Sequence, residues 1–419
     1  MNNYLLNLSL LRNNRDYRLL YLGQFVSLMG AMMTGVALPY QMYVLTHSTP
    51  MVGLLSFIQL LSLLITSLPG GLFADRYNRR FLLLISELLL SVCCVLLGLN
   101  AFYAHPSVSL VFVVSAFMSA INGFHRPALD SISQQLVSPK DYNSLGALRS
   151  FKISICMVAG PSVAGLVIAK YGIVITCFMD FATFLISFIS LFMMHHLPKP
   201  IKEERIPILV SLKQGMRFAF RRQELMGSYW IDFIAMIFAV PNALFPAMAQ
   251  MLGGVKVLGL LYASPPLGAL LMSFFSGWTT RVNRDGKAIA IAAALWGITM
   301  MGLGLSSSLW WVLFCLVLAG GFETISNIFR TSLWNNTIPQ AYRGRLASIE
   351  MLNHLSAPKF GDTRADFMAA GFGVRAAVVS GGLFCTLGVV LCCFCMPKFW
   401  RHRSDQQGVT ACRVSNSEP

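Results

Sequence analysis

The stretch Gly70-Gly71-Leu-Phe-Ala-Asp75-Arg76-Tyr-Asn-Arg79-Arg80 sets one acid and three arginines between two apolar runs, residues 52–68 and 81–99. An ionised side chain in hydrocarbon is costly unless paired or hydrated, so charge of this density belongs outside a bilayer core. The two flanking runs therefore read as membrane helices joined by a short polar turn.

Composition extends that reading to the whole chain. Apolar residues make up 56 % of the 419 and charged ones 12 %, against roughly 25 % charged in soluble globular proteins. A bilayer core about 30 Å thick needs about 20 apolar residues per helix. Runs of that length occur at residues 19–46, 51–74, 81–103, 108–130, 144–169 and 173–194, and again at 226–251, 255–280, 287–305, 309–333, 346–372 and 376–396. The expectation is an all-α integral membrane protein with twelve transmembrane helices in two pseudo-symmetric six-helix halves. The eleventh run is the most polar, holding Glu350, Lys359, Asp362, Arg364 and Asp366.

Lys and Arg fall on one set of connections: Arg12, Arg15 and Arg18, the opening turn, Lys140, residues 199–222, Arg281 with Arg284 and Lys287, Arg343 with Arg345, and Lys398 with Arg401 and Arg403. The opposite set has only Lys170, Lys256 and Arg375. Positive residues stay cytoplasmic, so both termini are expected inside a bacterial-type inner membrane. The net +15 is mainly this bias, and nucleic acid is not an expected partner, because the basic residues are dispersed between apolar spans. The first apolar run is too long for a signal h-region and lacks a small-residue cleavage site, so it is expected to stay as the first helix. Nine of the ten cysteines lie inside predicted spans as small hydrophobes, and no metal or other cofactor is expected.

The chain divides at its longest polar stretch. Residues 1–194 form the first half and 226–397 the second, with a linker at 195–225 and a tail at 398–419. Within the linker, Ile208, Leu212, Met216 and Ala219 recur at helical spacing while Lys213, Arg217, Arg221 and Arg222 collect elsewhere, the pattern of a basic amphipathic helix on anionic lipid. Two short repeats fall at matching places in the halves: Arg76-Tyr-Asn-Arg79 with Arg281-Val-Asn-Arg284, and Pro139-Lys-Asp-Tyr142 with Pro339-Gln-Ala-Tyr342. Repeated helix sets around a midplane site are a transporter architecture.

The opening stretch now has a context. Gly71, Asp75, Arg76, Arg79 and Arg80 resemble the signature loop of the major facilitator superfamily, with Asn78 where the family usually has glycine, a residue that also tolerates a left-handed turn. The resemblance implies a cytoplasmic gate in which Asp75 latches the arginines when the halves rock. Gly160, Pro161 and Gly165 in the fifth run resemble the core of the family's antiporter signature, with Ala164 replacing one glycine. Patches such as Thr46-His-Ser-Thr49 and Pro358-Lys-Phe-Gly361-Asp362-Thr-Arg364-Ala365 resemble the family's siderophore-exporter branch, which implies an anionic siderophore as small-molecule substrate and protons as the driving partner. A multidrug or other metabolite exporter of the same superfamily is the alternative.

Membrane-embedded charge marks the candidate site. Arg126 and Asp130 are four apart in the fourth run and can pair on one face; with Arg330 they suit a gate network near Asp75. Glu323 lies deeper, seven residues before Arg330, and is the first proton-coupling candidate, with Asp232 the second. Arg149, Lys152, Lys359 and Arg364 supply positive charge for contacts to an anionic substrate. An enzyme is not expected: His125 and Asp130 have a His-x4-Asp spacing, but five residues put them on different faces of a helix.

Overall fold

The structure is a computed structural model and describes residues 9–138, 141–194, 217–220, 222–239, 241–338 and 340–402. Its helices are α1 (Ser9–Asn13), α2 (Arg15–Thr46), α3 (Thr49–Arg76), α4 (Arg79–Phe102), α5 (Val108–Gln135), α6 (Tyr142–Phe192), α7 (Gln223–Phe238), α8 (Phe245–Leu252), α9 (Val255–Phe274), α10 (Asp285–Leu305), α11 (Leu309–Thr337), α12 (Gln340–Phe372), α13 (Val374–Cys395) and α14 (Pro397–Trp400). Two short 3-10 turns, Asn242–Leu244 and Ser276–Arg281, and a helical stretch at 217–220 accompany them.

By length and apolarity ten of these segments can cross a membrane. The difference from twelve has two causes. Residues 144–192 run as one element because Gly172, at φ +80° and ψ 177°, turns the chain without interrupting the helical pattern on either side. The turn reverses direction: Leu148, Cys156 and Gly160 meet Tyr21, Phe25 and Met32 going up α2, and Asp180, Ser187 and Ser190 meet Thr34, Gln24 and Gly23 coming back. A side chain at Gly172 would be strained at that φ, so this element contains the fifth and sixth predicted spans. The eleventh predicted span is helical, as α12, but its charged residues keep it out of the apolar set.

The turn that decides the fold holds no left-handed residue. Tyr77 ends α3 and Asn78 begins α4, both in extended conformation, and the Asn78 side chain accepts a hydrogen bond from the Arg80 N–H at 3.0 Å. Asparagine serves here as an N-cap and not for positive φ, which corrects the expectation drawn from the glycine it replaces. Ser107 caps α5 in the same way and exchanges two hydrogen bonds with the Asn100 amide at the end of α4.

The described chain forms two compact units. One groups the described residues within Met1–Glu204 with those of Asn242–Pro266 and Ala369–Gly371. An apolar cluster lies between α2, α4, α5 and α6, around Met42, Leu90, Cys94, Leu97, Val111 and Phe184. Large apolar side chains such as Ile65, Val113, Phe117 and Leu166 stay exposed, as a lipid-facing surface requires.

The other unit groups the described residues within Arg205–Pro241, Leu267–Met368 and Phe372–Pro419. There α10 packs between α11 and α13, with Gly297 against the Gly382 carbonyl. Phe399 on α14 is fully buried, its ring against Gly227 of α7, so the start of the tail is tied into this unit. Most of the linker helix and residues 403–419 lie outside the described residues.

Candidate functional site: two charged clusters

The first unit holds a basic cluster on α5 and α6. Arg149 Nη1 lies 2.8 Å from Asp130 Oδ1, and about half of the Arg149 side chain (51 %) remains exposed. Arg126, one turn before Asp130, is within electrostatic reach of both, and Lys152, one turn after Arg149, feels all three and sits 5.5 Å over the Tyr21 ring. The i,i+4 and i,i+3 spacings put these side chains on facing stripes of the two helices. Three cations around one carboxylate leave an excess of positive charge. Asp130 makes its ion pair with Arg149, a partner that spacing within α5 cannot reveal.

His125 does not join Asp130. Its Nε2 lies 3.1 Å from Glu87 on α4, as the helical spacing argued against a His-x4-Asp pair.

The opening motif is partly described. Gly71 and the side chains of Asp75 and Arg76 have surroundings outside the described set. Arg79 is buried. Arg80 reaches the far end of α6, donating from Nε to Leu191 O at 3.1 Å and from Nη2 to Phe192 O at 2.5 Å. Those carbonyls belong to the last turn of the helix, where Leu191 O also accepts the Met194 N–H at 3.3 Å, and the guanidinium adds a charged cap that faces the negative end of the dipole.

The Gly160-Pro161-Gly165 segment lies at a close helix approach. Gly160 faces Met32 of α2, and a Cβ on Gly165 would come 2.6 Å from Gly259 Cα on α9. A Cβ on Gly259 would lie 2.8 Å from Pro161 O, so neither glycine has room for a side chain.

The second unit holds an acidic cluster around one guanidinium. Arg330 on α11 is ion-paired with Asp232 on α7, and Asn353 on α12 donates to the other oxygen of that carboxylate at 2.8 Å. Arg330 Nη2 also reaches Asn327 Oδ1 at 3.3 Å, while its buried Nε finds no acceptor among the described residues. Glu323 on α11 and Glu350 on α12 are within electrostatic reach of both Asp232 and Arg330. The two sequence candidates, Glu323 and Asp232, are thus brought together with Arg330. Glu350 joins them unforeseen, because which face of the polar α12 turns inward cannot be read from its own pattern.

Arg364 has a different place. Its Nε donates to Ile237 O at 3.1 Å and its Nη2 to Phe238 O at 3.3 Å, and it lies 5.3 Å from the Phe238 ring. It closes the carbonyl end of α7 where that helix breaks before Asn242. Lys359, one turn earlier, is half-buried.

Helices of this length in two compact units, with paired charge inside them, define a multi-pass membrane protein, and comparison with known families gives its class. The model of the Major Facilitator Superfamily matches residues 20–352. The chain belongs to this superfamily and is a secondary transporter, not an enzyme. It is 27 % identical to the enterobactin exporter EntS of Escherichia coli O1:K1 / APEC, over 93 % of this chain and 94 % of that one, and 27 % identical to EntS of Shigella boydii serotype 18 with the same coverage. In fold it resembles a bacterial homologue of the human lysosomal transporter Spinster, with a TM-score of 0.74 and 14 % identity over 93 % of this chain and 98 % of that one.

Proposed function

We propose that the protein is a proton-coupled exporter that carries an anionic siderophore out of the cytoplasm by alternating access of two six-helix halves, residues 1–194 and 226–397. The linker at 195–225 rests on lipid in this reading, both termini are cytoplasmic, and the membrane is a bacterial inner membrane. The observation that carries the proton coupling is the set of Asp232, Glu323 and Glu350 around Arg330. Three carboxylates and one guanidinium make a neutral set only when protons join them, and a set that trades protons with its surroundings can couple their flow to a conformational change.

The substrate reading rests on the exporters of enterobactin that this chain resembles over nearly its whole length, together with the positive excess at Arg126, Arg149 and Lys152. A catecholate or carboxylate siderophore is anionic, and cations on an exposed face raise its local concentration. The test is reconstitution in vesicles with enterobactin inside and an imposed pH difference. Enterobactin efflux that follows the pH difference supports the reading. Should gene deletion leave secretion of every chelator unchanged and raise sensitivity to toxic compounds, the multidrug alternative replaces it.

A further inference from the structure

Inside the first unit, beginning one residue before Arg126 of the basic cluster, lies a polar core that neither charged cluster includes. Glu87 on α4 is 0 % exposed. Its Oε1 accepts from Gln24 Nε2 at 2.6 Å and Ser187 Oγ at 2.9 Å and lies 3.1 Å from His125 Nε2, while its Oε2 meets Ser27 Oγ at 3.3 Å. Four helices, α2, α4, α5 and α6, thus converge on one carboxylate. Seven residues further on α2 and α4, and seven earlier on α6, the pattern repeats: Asp180, also 0 % exposed, is bonded by Thr34, by Cys94 at 3.4 Å and by Thr183 at 3.0 Å. Seven residues are two turns, about 10 Å along the helix, so the two carboxylates form two layers of one buried column.

We propose that Glu87 and His125 form a proton-binding site sealed inside the first unit, with Asp180 as the next carboxylate along the same column. Interhelical adhesion alone does not call for this chemistry. A glutamine at 87 would accept from the same donors without a charge in the membrane, and removing charge from a buried polar cluster is often neutral or favourable for stability. The two groups present are the ones that exchange protons. Oε1 is filled by three partners, which leaves Oε2 to carry a proton and donate it to Ser27 Oγ. Among the described residues His125 is the one basic group against Glu87, so the pair is neutral with a single proton, held on either partner.

The titratable groups that face Glu87 can be named from each packed helix. His125 comes from α5 and Asp180, in electrostatic reach, from α6. From α2 come Gln24 and Ser27, neither of which titrates, and α3 carries no titratable residue before Asp75. The hydroxyls and thiol around Asp180 are neutral donors, so no cation among its hydrogen-bond partners fixes its charge.

The site stands on its own geometry, and its test needs no substrate, so a failure of the siderophore or proton-driven reading leaves it untouched. The full chain in lipid vesicles is titrated with protons between about pH 5 and pH 8, and the carboxyl stretch is followed by infrared difference spectroscopy in wild type, Glu87→Gln and His125→Gln. The expected result is a protonated-carboxyl band that titrates in wild type and is missing from Glu87→Gln. In His125→Gln that band is expected to move its midpoint by about one pH unit, the scale set by a neighbouring ionisable group. If Glu87→Gln does not assemble, His125→Gln decides alone, because the carboxylate keeps Gln24, Ser27 and Ser187. A Glu87→Gln protein that titrates like wild type, or a His125→Gln protein with an unmoved midpoint, makes the cluster structural packing and overturns the proposal.

Discussion

Arg330 and Asp232 form a buried ion pair between α11 and α7, with their side chains 6 % and 7 % exposed. Removing one partner leaves the other charge uncompensated, which costs about 3–5 kcal/mol in buried pairs. Asp232→Asn should therefore lower the thermal midpoint of the purified protein markedly. The double variant Asp232→Leu with Arg330→Leu should recover most of that loss while staying inactive in transport. An Asp232→Asn protein that melts like wild type would show that the pair does not hold α7 against α11.

The opening stretch separates into a gate and a cap. Asp75→Asn should preserve expression but cripple export, because a neutral side chain cannot latch the arginines of the turn. Arg80→Gln should instead destabilise, by about 1–2 kcal/mol, since it removes the charged donor from the carbonyls of Leu191 and Phe192. Thermal melts and vesicle transport on both variants distinguish the roles. Normal export by Asp75→Asn would reduce the motif to a topological marker.

How far the sequence reaches can be seen at these residues. Spacing along one helix is legible: Arg126 and Asp130, or Glu323 and Arg330, share a face by the helical repeat alone. Partners from other helices are not, so Arg149 as the mate of Asp130 and Asp232 as the mate of Arg330 come only from packing. The same limit hides Glu87 with His125 and Asp180 with Thr34. A signal for both was present: Glu87 and Asp180 are the lone acids of their apolar runs, and a lone intramembrane acid always asks for a partner. Two membrane passes that run as one 49-residue segment, by contrast, could be told apart from the sequence through Lys170 and Gly172 between them.

The approach of Gly165 to Gly259 leaves no space for side chains. Gly259→Val puts a branched Cβ 2.8 Å from Pro161 O and 3.2 Å from Ser162 O, and overpacking of this kind costs about 1–3 kcal/mol. Export should fall sharply, with the alanine variant intermediate. A fully active Gly259→Val protein would mean that the two helices do not stay in contact during transport.

The basic cluster should act on affinity more than on turnover. Arg149→Gln and Lys152→Gln each remove one cation from a set with one carboxylate. Together they should raise the apparent KM for an anionic siderophore about tenfold, which corresponds to about 1.4 kcal/mol. The salt dependence of uptake into everted vesicles should flatten as well, since it reports screened charge attraction. Unchanged KM and salt dependence would confine both residues to holding Asp130.

Energy coupling gives the sharpest test of the acidic cluster. Moving one charge through the membrane potential is worth about 2.3 kcal/mol per 100 mV, and about 1.4 kcal/mol is a tenfold gradient, so one proton returned per cycle can drive more than tenfold accumulation. Glu323 shares the fields of Asp232 and Arg330 without being the ion-pair partner of Arg330, which leaves its carboxyl available to take and release that proton. Glu323→Gln fixes the side chain in a neutral form that resembles the protonated acid. The variant should lose accumulation against a gradient yet still exchange substrate down its gradient, because the conformational cycle no longer waits for a proton. Vesicles with and without an imposed pH difference separate the two modes. Full pH-driven transport by Glu323→Gln would move the coupling to Asp232 or Glu350, and the same measurement on Glu350→Gln and Asp232→Asn would then decide between them.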